Sequence, residues 1–166
     1  MKKSFPILLT LLVLTIFGSM TFLLARKFNP SPSNLAAESE AQAVVEGFGK
    51  KLQAVSILAP SDQAAQAIRD NYAEYVSPAL LAVWTADPGN APGRATSSPW
   101  PDRIEISTMK MESATTFQVN GKVIEVTSNE VEHGGIAATR NITLTVEQVN
   151  GKWLITGLTE GDYNNP

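Results

Sequence analysis

The sequence predicts an α+β fold: an N-terminal transmembrane helix, then helices packed on a bent four-stranded antiparallel sheet. Three observations predict it. Residues 4–25 carry no charge. Apolar residues between positions 36 and 85 recur every three or four places, the period of a helix with one buried face. From position 104 onward they recur mostly every second place, the period of a strand with one buried face. Helices followed by strands, with no alternation of the two, place the helices on one side of an antiparallel sheet.

The uncharged run SFPILLTLLVLTIFGSMTFLLA is 22 residues long, and about 20 apolar residues span the hydrocarbon core of a bilayer. Inside lipid every backbone polar group must bond within the segment, so the run is one helix. Pro6 falls in its first turn, where the missing N–H is not needed. Lys2 and Lys3 precede the run, and Arg26 and Lys27 follow it. A secretory signal has a shorter apolar stretch, about 7–15 residues, ending in a small-x-small cleavage site. Here Leu23 and Ala25 make a poor cleavage pair, and no Cys follows for lipid attachment. Residues 1–27 therefore read as an uncleaved signal anchor, with secretion after cleavage as the alternative. The expected placement is a single span in a bacterial cell membrane with the C-terminal domain outside the cytoplasm. The free amino terminus adds to the near-side cations, and a long remainder crosses whatever its charge.

Residues 28–35 contain NPSPSN and read as a semi-extended linker. Residues 36–56 read as a helix whose apolar stripe is Val44, Val45, Phe48, Leu52 and Val55. Glu38, Glu40 and Glu46 lie toward its start and Lys50 and Lys51 toward its end, which suits the helix dipole. Gly47 and Gly49 weaken it by about 1 kcal/mol each relative to Ala, and by flanking Phe48 they let another segment approach closely. Pro60 breaks the chain. Ser61 is the expected N-cap of a helix over residues 62–76, buried through Ala65, Ile68, Tyr72, Tyr75 and Val76. Ser77 as cap and Pro78 at the first helical position start a short helix through position 85, carrying Leu80, Leu81 and Trp84. Residues 87–103, DPGNAPGRATSSPWPDR, hold four prolines and two glycines and read as a loop, functional or disordered at that length. The prolines on either side of Trp100 lower the entropy of fixing its indole.

Ile104 and Ile106 alternate with Glu105 and Ser107, and Met109 and Met111 then fall on the opposite phase. A bulge near Thr108 reconciles them. Residues 115–128 follow as strand. Asn120-Gly121 lies inside it, and because the two halves are short, one bent strand with a glycine bulge is favoured over a tight hairpin. His133-Gly134-Gly135 makes the next turn. Ile142, Leu144 and Val146 alternate with Thr143, Thr145 and Glu147 as a half-buried strand. Asn150-Gly151 is a two-residue turn that needs positive φ twice. Beyond it Trp153 and Ile155 face one side, and Leu154, Thr156 and Leu158 the other. The result is a four-stranded antiparallel meander.

Composition excludes several function classes. A length of 166 residues holds one ordinary domain besides the anchor. A formal charge of −3 and a pI near 5.2 give no basic stripe, so no nucleic acid is expected as a partner. Without the four cations that flank the apolar run, nine Lys+Arg face sixteen acids, a formal charge of −7. Such a domain is not drawn to anionic lipid. With no Cys and one His there is no thiolate zinc site, no cysteine nucleophile and too little imidazole for a histidine metal site. No phosphate-loop, G-x-S-x-G, H-E-x-x-H or calcium-loop pattern occurs, so neither cofactor nor metal is expected. Asn141-Ile142-Thr143 matches a glycosylation acceptor but lies within a strand.

The segments AQAVVEGFGKKLQAV, YVSPALLAVW and above all ITLTVEQVNGKWLITGL, in that order, resemble the nuclear transport factor 2-like, or cystatin-like, superfamily. The resemblance covers residues 36–162 and leaves 163–166 as a tail. In that family the last hairpin often reads as an alternating strand, an Asn-Gly or Asp-Gly turn, and Lys-Trp followed by an Ile-containing strand. The resemblance implies a cone-shaped α+β domain and no particular activity, because the fold hosts enzymes, adaptors and secretion parts alike. One span, a linker and a cone outside also resemble inner-membrane type IV secretion and conjugation components, in architecture alone. Enzymes of the superfamily use a carboxylate or a His–Asp pair inside the cone. Here His133 sits in a Gly-Gly turn and reads as a surface residue. Asp70, Asp87 and Asp102 are explained by a polar helix face, an Asp-Pro loop opening and a strand lead-in. Glu125, between Ile124 and Val126, is expected to face outward, with an inward orientation left open by the phase of Val119 and Val123.

Tyr72, Tyr75, Trp84, Trp100 and Trp153 either line an aromatic pocket or fill the core, and the core is favoured. Arg94 with Ser97 and Ser98 either binds an anion or is solvated. The expected function is a non-enzymatic extracytoplasmic binding or assembly domain, tethered so that its local concentration near the membrane is high. The candidate binding residues are Trp100, Arg94, Tyr72, Tyr75 and Trp84. The expected partners are the membrane and a protein or small ligand, with homo-oligomerisation open. The alternatives are a component of a conjugation or type IV secretion-like complex, and a dehydratase- or isomerase-like enzyme using a cavity carboxylate.

Overall fold

The computed structural model describes residues 32–164. The expected anchor at 1–27 and the first part of the expected linker lie outside the described residues. Contacts divide the chain into two units, Met1–Leu35 and Ala36–Pro166. Of the first only the opening of a helix is described, so the architecture below is that of the second. Among the described residues no helix is long and apolar enough to cross a membrane.

Helix α1 spans Pro32–Gly49. It begins inside the stretch read as linker, because Pro32 falls in a first turn that asks nothing of its missing N–H. Ala41, Val45 and Phe48 are fully buried on one face. The helix stops at Gly49, short of position 56, and a separate 3₁₀ turn over Leu52–Ala54 buries Leu52. Both glycines beside Phe48 are contact points, as their positions predicted. A Cβ on Gly47 would run into the Tyr75 ring, and one on Gly49 would stand 2.7 Å from the Ile104 backbone nitrogen.

Helix α2 spans Ser61–Tyr72, with Pro60 rather than Ser61 at the N-cap and no side-chain cap bond. It ends before position 76 because the next residues turn to the sheet. Ile155 N donates to Tyr75 O and Ser77 N to Ile155 O, each at 2.9 Å. Helix α3 spans Pro78–Ala86, and Ser77 caps it as expected by accepting from Leu80 N at 3.2 Å. A 3₁₀ turn over Pro88–Asn90 interrupts the predicted loop.

Strands β1 (Trp100–Ser113), β2 (Thr116–Val126), β3 (Ala138–Val149) and β4 (Lys152–Asn164) form one sheet in the order β1-β2-β3-β4, antiparallel throughout. This is the predicted meander, although β4 runs on through Tyr163 and Asn164, where a tail is expected. The β1–β2 register slips between Ile106 and Thr108, leaving Ser107 as the extra residue of a bulge. Ile104 and Ile106 therefore face Val123 and Gly121, while Met109 and Met111 face Val119 and Phe117, and all four lie on the helix-covered inner side. β2 runs straight through Asn120-Gly121, where a Cβ on Gly121 would meet Glu105 O at 2.5 Å. A second slip, between Thr145 and Val146, pairs Leu158 with Leu144. Leu158 is thus returned to the inner side, against the strict alternation expected of it. At the turn, Asn150 has φ 52° and Gly151 φ 79°, as the dipeptide required.

One element was unexpected. Residues Ser128–His133 form a short helix, α4, opened by a capping box: Thr127 N donates to Glu130 Oε2 at 2.9 Å and Asn129 N to Thr127 Oγ1 at 3.2 Å. The Thr-x-x-Glu spacing encodes it. The Thr127 hydroxyl and the Asn129 side-chain amide also donate to Glu130, and with the Thr127 N–H they hold its carboxyl down at about 2. Inner-face residues of the strands, among them Val119, Leu144, Val146, Trp153 and Ile155, join Phe48, Leu52, Ile68 and Tyr72 in one core.

Candidate functional site

Three charged side chains interrupt the inner face where β2 ends and β3 begins. Glu125 follows Phe117, Val119 and Val123 on the inner phase of β2 and is fully buried. The outward orientation expected for it is therefore corrected. Ile124 and Val126 are buried as well, so both faces of the strand end are covered and apolar neighbours no longer mark the inside. Arg140 shares the inner phase of β3 with Ile142, Leu144 and Val146 and is 6% exposed. Glu160 stands opposite Ile142, brought inward by the same slip that returns Leu158.

Arg140 holds both carboxylates. Its Nε donates to Glu125 Oε1 at 2.9 Å, its Nη2 lies 2.8 Å from the same oxygen, and its Nη1 donates to Glu160 Oε2 at 2.8 Å. Its guanidinium carbon lies 4.9 Å from the centre of the Tyr163 ring, within cation–π range. Glu125 Oε2 and Glu160 Oε1 are buried and accept no hydrogen bond from the described residues. Burial pushes the Glu125 carboxyl above the ordinary carboxylate range, against the pull of Arg140. Burial pushes Glu160 up too; Arg140 opposes this and the Glu125 charge adds to it. Two acids sharing one guanidinium carry a surplus negative charge out of water, so the pair retains a proton more readily than free carboxylates do. Chemically, the cluster can hold and release a proton.

The candidate residues named from sequence are dispersed. Tyr72 and Trp84 belong to the core: their ring centres lie 4.8 Å and 6.1 Å from that of Phe48 and 5.9 Å from each other. The Tyr72 hydroxyl donates to Pro92 O at 2.7 Å, and burial raises its pKa, with the Glu160 charge adding to the effect. Tyr75 is half-buried and packs on the same core. Trp100 is half-buried at the first position of β1, facing Val126. Arg94 is fixed through its backbone, its N donating to Val55 O at 2.8 Å and its O accepting from Ile57 N at 3.2 Å. Asp70, Asp87 and Asp102 make the local contacts expected of them, with Gln66, Asn90 and Arg103, and His133 is exposed. Arg140 and Glu160 were not singled out from sequence. Arg140 had a signal, a cation on the apolar phase of an alternating strand. Glu160 had none, because the slip that turns it inward leaves no mark in the alternation.

Two grooves lie apart from this cluster. One, of about 520 Å³, runs between α1 and the edge of β1, lined by Gln42, Glu46 and Lys50 on the helix and Arg103 to Ile106 on the strand. The other, of about 360 Å³, lies between residues 73–81 and the start of β4, with Val76, Leu81 and Leu154 in its wall.

No protein-family profile matches the chain, and no curated protein matches it. Among solved structures it is similar to an NTF-2 like protein of unknown function from Shewanella oneidensis MR-1, at 17% identity over 64% of this chain and 93% of that one, with a TM-score of 0.34. The α+β class rests on the helices and the four-stranded antiparallel sheet themselves.

Proposed function

We propose that the chain is a non-enzymatic binding or assembly domain, held at the outer side of a cell membrane by its N-terminal run. The membrane part rests on the uncharged residues 4–25 and their length against a bilayer. The observation that carries the binding part is the packing of the inner face. Rings of Phe48, Tyr72, Trp84, Phe117 and Trp153 are all buried there, and both acids on that face are engaged by Arg140. An interior filled in this way leaves recognition to the outer surface, where Trp100 stands at the start of β1 beside the proline-rich loop. The test is site-specific photocrosslinking in intact cells from positions 95–98, comparing the native chain with Trp100→Ala. A discrete adduct that Trp100→Ala abolishes while the circular dichroism holds supports the reading. Identical adducts from both chains remove Trp100 from the surface.

A second reading has one observation in its favour: Glu125 and Glu160 lie on the inner face with acidities weakened by burial, as an acid–base enzyme would use them. A thermal-shift screen against small carbonyl and hydroxy compounds separates the two. Stabilisation that Glu160→Gln removes favours an enzyme, and none across the panel favours the binding domain.

A further inference from the structure

A helix that is apolar on every side is ordinarily buried on every side. Helix α3 is not. Residues 75–86 carry no charge. Trp84 is buried in the core, and Leu80 and Leu81 pack against that core. The other face consists of Ala79, Ala82, Val83 and Ala86, at the i, i+3, i+4, i+7 spacing of one helical face. All four are exposed, Val83 at 63%. By contrast, the exposed Val131 stands between two acids, Glu130 and Glu132. The groove of about 360 Å³ continues the apolar surface past Pro78 and Leu81 to Val76 and Leu154. We propose that the outward face of α3, together with this groove, rests on zwitterionic lipid of the membrane that the N-terminal run enters. The inference depends on the membrane part of the proposed function.

Area argues against a freely diffusing protein as the occupant. Nine residues make a helix about 14 Å long and about 10 Å across, so its face offers on the order of 150 Å². A stable pair of proteins buries about 800 Å² on each partner. A surface this small keeps only an occupant that something else already holds beside it, and the proposed anchor does so. Six residues, 26–31, lie between the apolar run and α1, a reach of at most about 20 Å. That is comparable with the radius of gyration of about 14 Å for a domain of about 130 residues. The domain therefore turns beside the bilayer and does not leave it. Contact with lipid is in effect intramolecular, and a weak contact suffices.

Charge selects the lipid. Beyond position 27 the chain carries nine Lys+Arg against sixteen acids, and anionic headgroups repel it. The α3 face brings no charge to the surface. The groove adds Glu74 and Lys152, one of each sign and both exposed, which complement the amine and the phosphate of a zwitterionic headgroup. Val83 and the three alanines enter the headgroup boundary with no polar side chain to desolvate.

The test places the full chain in phosphatidylcholine vesicles, where the absence of Cys lets one introduced thiol carry a polarity-sensitive fluorophore. Val83→Cys reports from α3, and Asn141→Cys from an exposed position on β3. The label at Val83→Cys is expected to shift its emission to the blue and to lose quenching by aqueous iodide, and the label at Asn141→Cys to do neither. With the label moved to Ala79→Cys, adding Val83→Asp is expected to restore emission and quenching typical of water. Circular dichroism checks that the variants stay folded, and flotation with the vesicles checks the anchor. Equal quenching at positions 83 and 141 in a chain that floats overturns the inference and leaves the anchor standing. Shielding at position 83 that grows with the ratio of protein to lipid also overturns it, since a second copy then covers the face. A chain that does not float overturns the membrane reading and this inference with it.

Discussion

Arg140 neutralises the buried Glu125 carboxylate and anchors Glu160, so replacing it with Met leaves a charge in the core without a counter-ion. Breaking one partner of a buried pair costs about 3–5 kcal/mol, and urea melts of Arg140→Met are expected to show a loss of that size. Changing Glu125 to Leu at the same time is expected to recover only part of it, because Glu160 is still left without its counter-ion, and adding Glu160→Gln is expected to recover most of the rest, because replacement of the whole charged group is close to neutral. The acids also fix a pH dependence. Glu125 and Glu160 both have folded-state pKa values above the ordinary carboxylate value, so the folded chain binds protons more readily than the unfolded one. Their contribution is fully present below about pH 4.3, the unfolded value, and is lost as pH rises through the folded values. Glu130 acts in the opposite sense, because its lowered value of about 2 makes its contribution fade only on strong acidification. The urea midpoint is therefore expected to rise as a neutral solution is acidified toward the ordinary carboxylate range, and Glu160→Gln is expected to flatten that rise. A midpoint independent of pH in that window would show that the two buried acids bind protons no more readily in the folded chain than in the unfolded one.

At the scale of elements, Gly121 carries a prediction. A Cβ there would press on the Glu105 carbonyl of the neighbouring strand at 2.5 Å, and backbone cannot move aside as a flexible side chain can. Gly121→Ala is expected to destabilise by about 1–3 kcal/mol, the usual cost of overpacking, with amide exchange accelerated on both β1 and β2. Features decided by a few consecutive residues were legible from the sequence: Ser77-Pro78 at a helix start, Asn150-Gly151 at a turn, the change of phase around Ser107. Features decided by distant partners were not. Helix α1 ends at Gly49, where the Ile104 backbone lies against it, a neighbour that the helix's own spacing does not reveal. For the same reason Glu125 and Arg140 could each be seen as a charge on or near an apolar phase, but their meeting depends on the β2–β3 register, and that of Glu160 on a slip in β4.

For the molecule as a whole, the proposed anchor separates the chain into a part that partitions into lipid and a part that does not. Full-length protein is expected to resist extraction from membranes by alkaline carbonate, and a chain lacking residues 1–27 is expected to appear in the aqueous fraction. A full-length chain released by carbonate would leave the apolar run without its assigned role. The bulge at Ser107 has a consequence of a different kind. It works as a parity switch, since one additional residue exchanges the wet and dry sides for the remainder of the strand. Deleting Ser107 would close the bulge and leave Ile106, Met109 and Met111 on the dry side in strict alternation, opposite the same partners. Losing one residue from the regularly paired stretches on either side would instead exchange the sides beyond it, so single-residue length variation along this strand is expected at its bulges alone, while the turn at Asn150-Gly151 is under no such arithmetic.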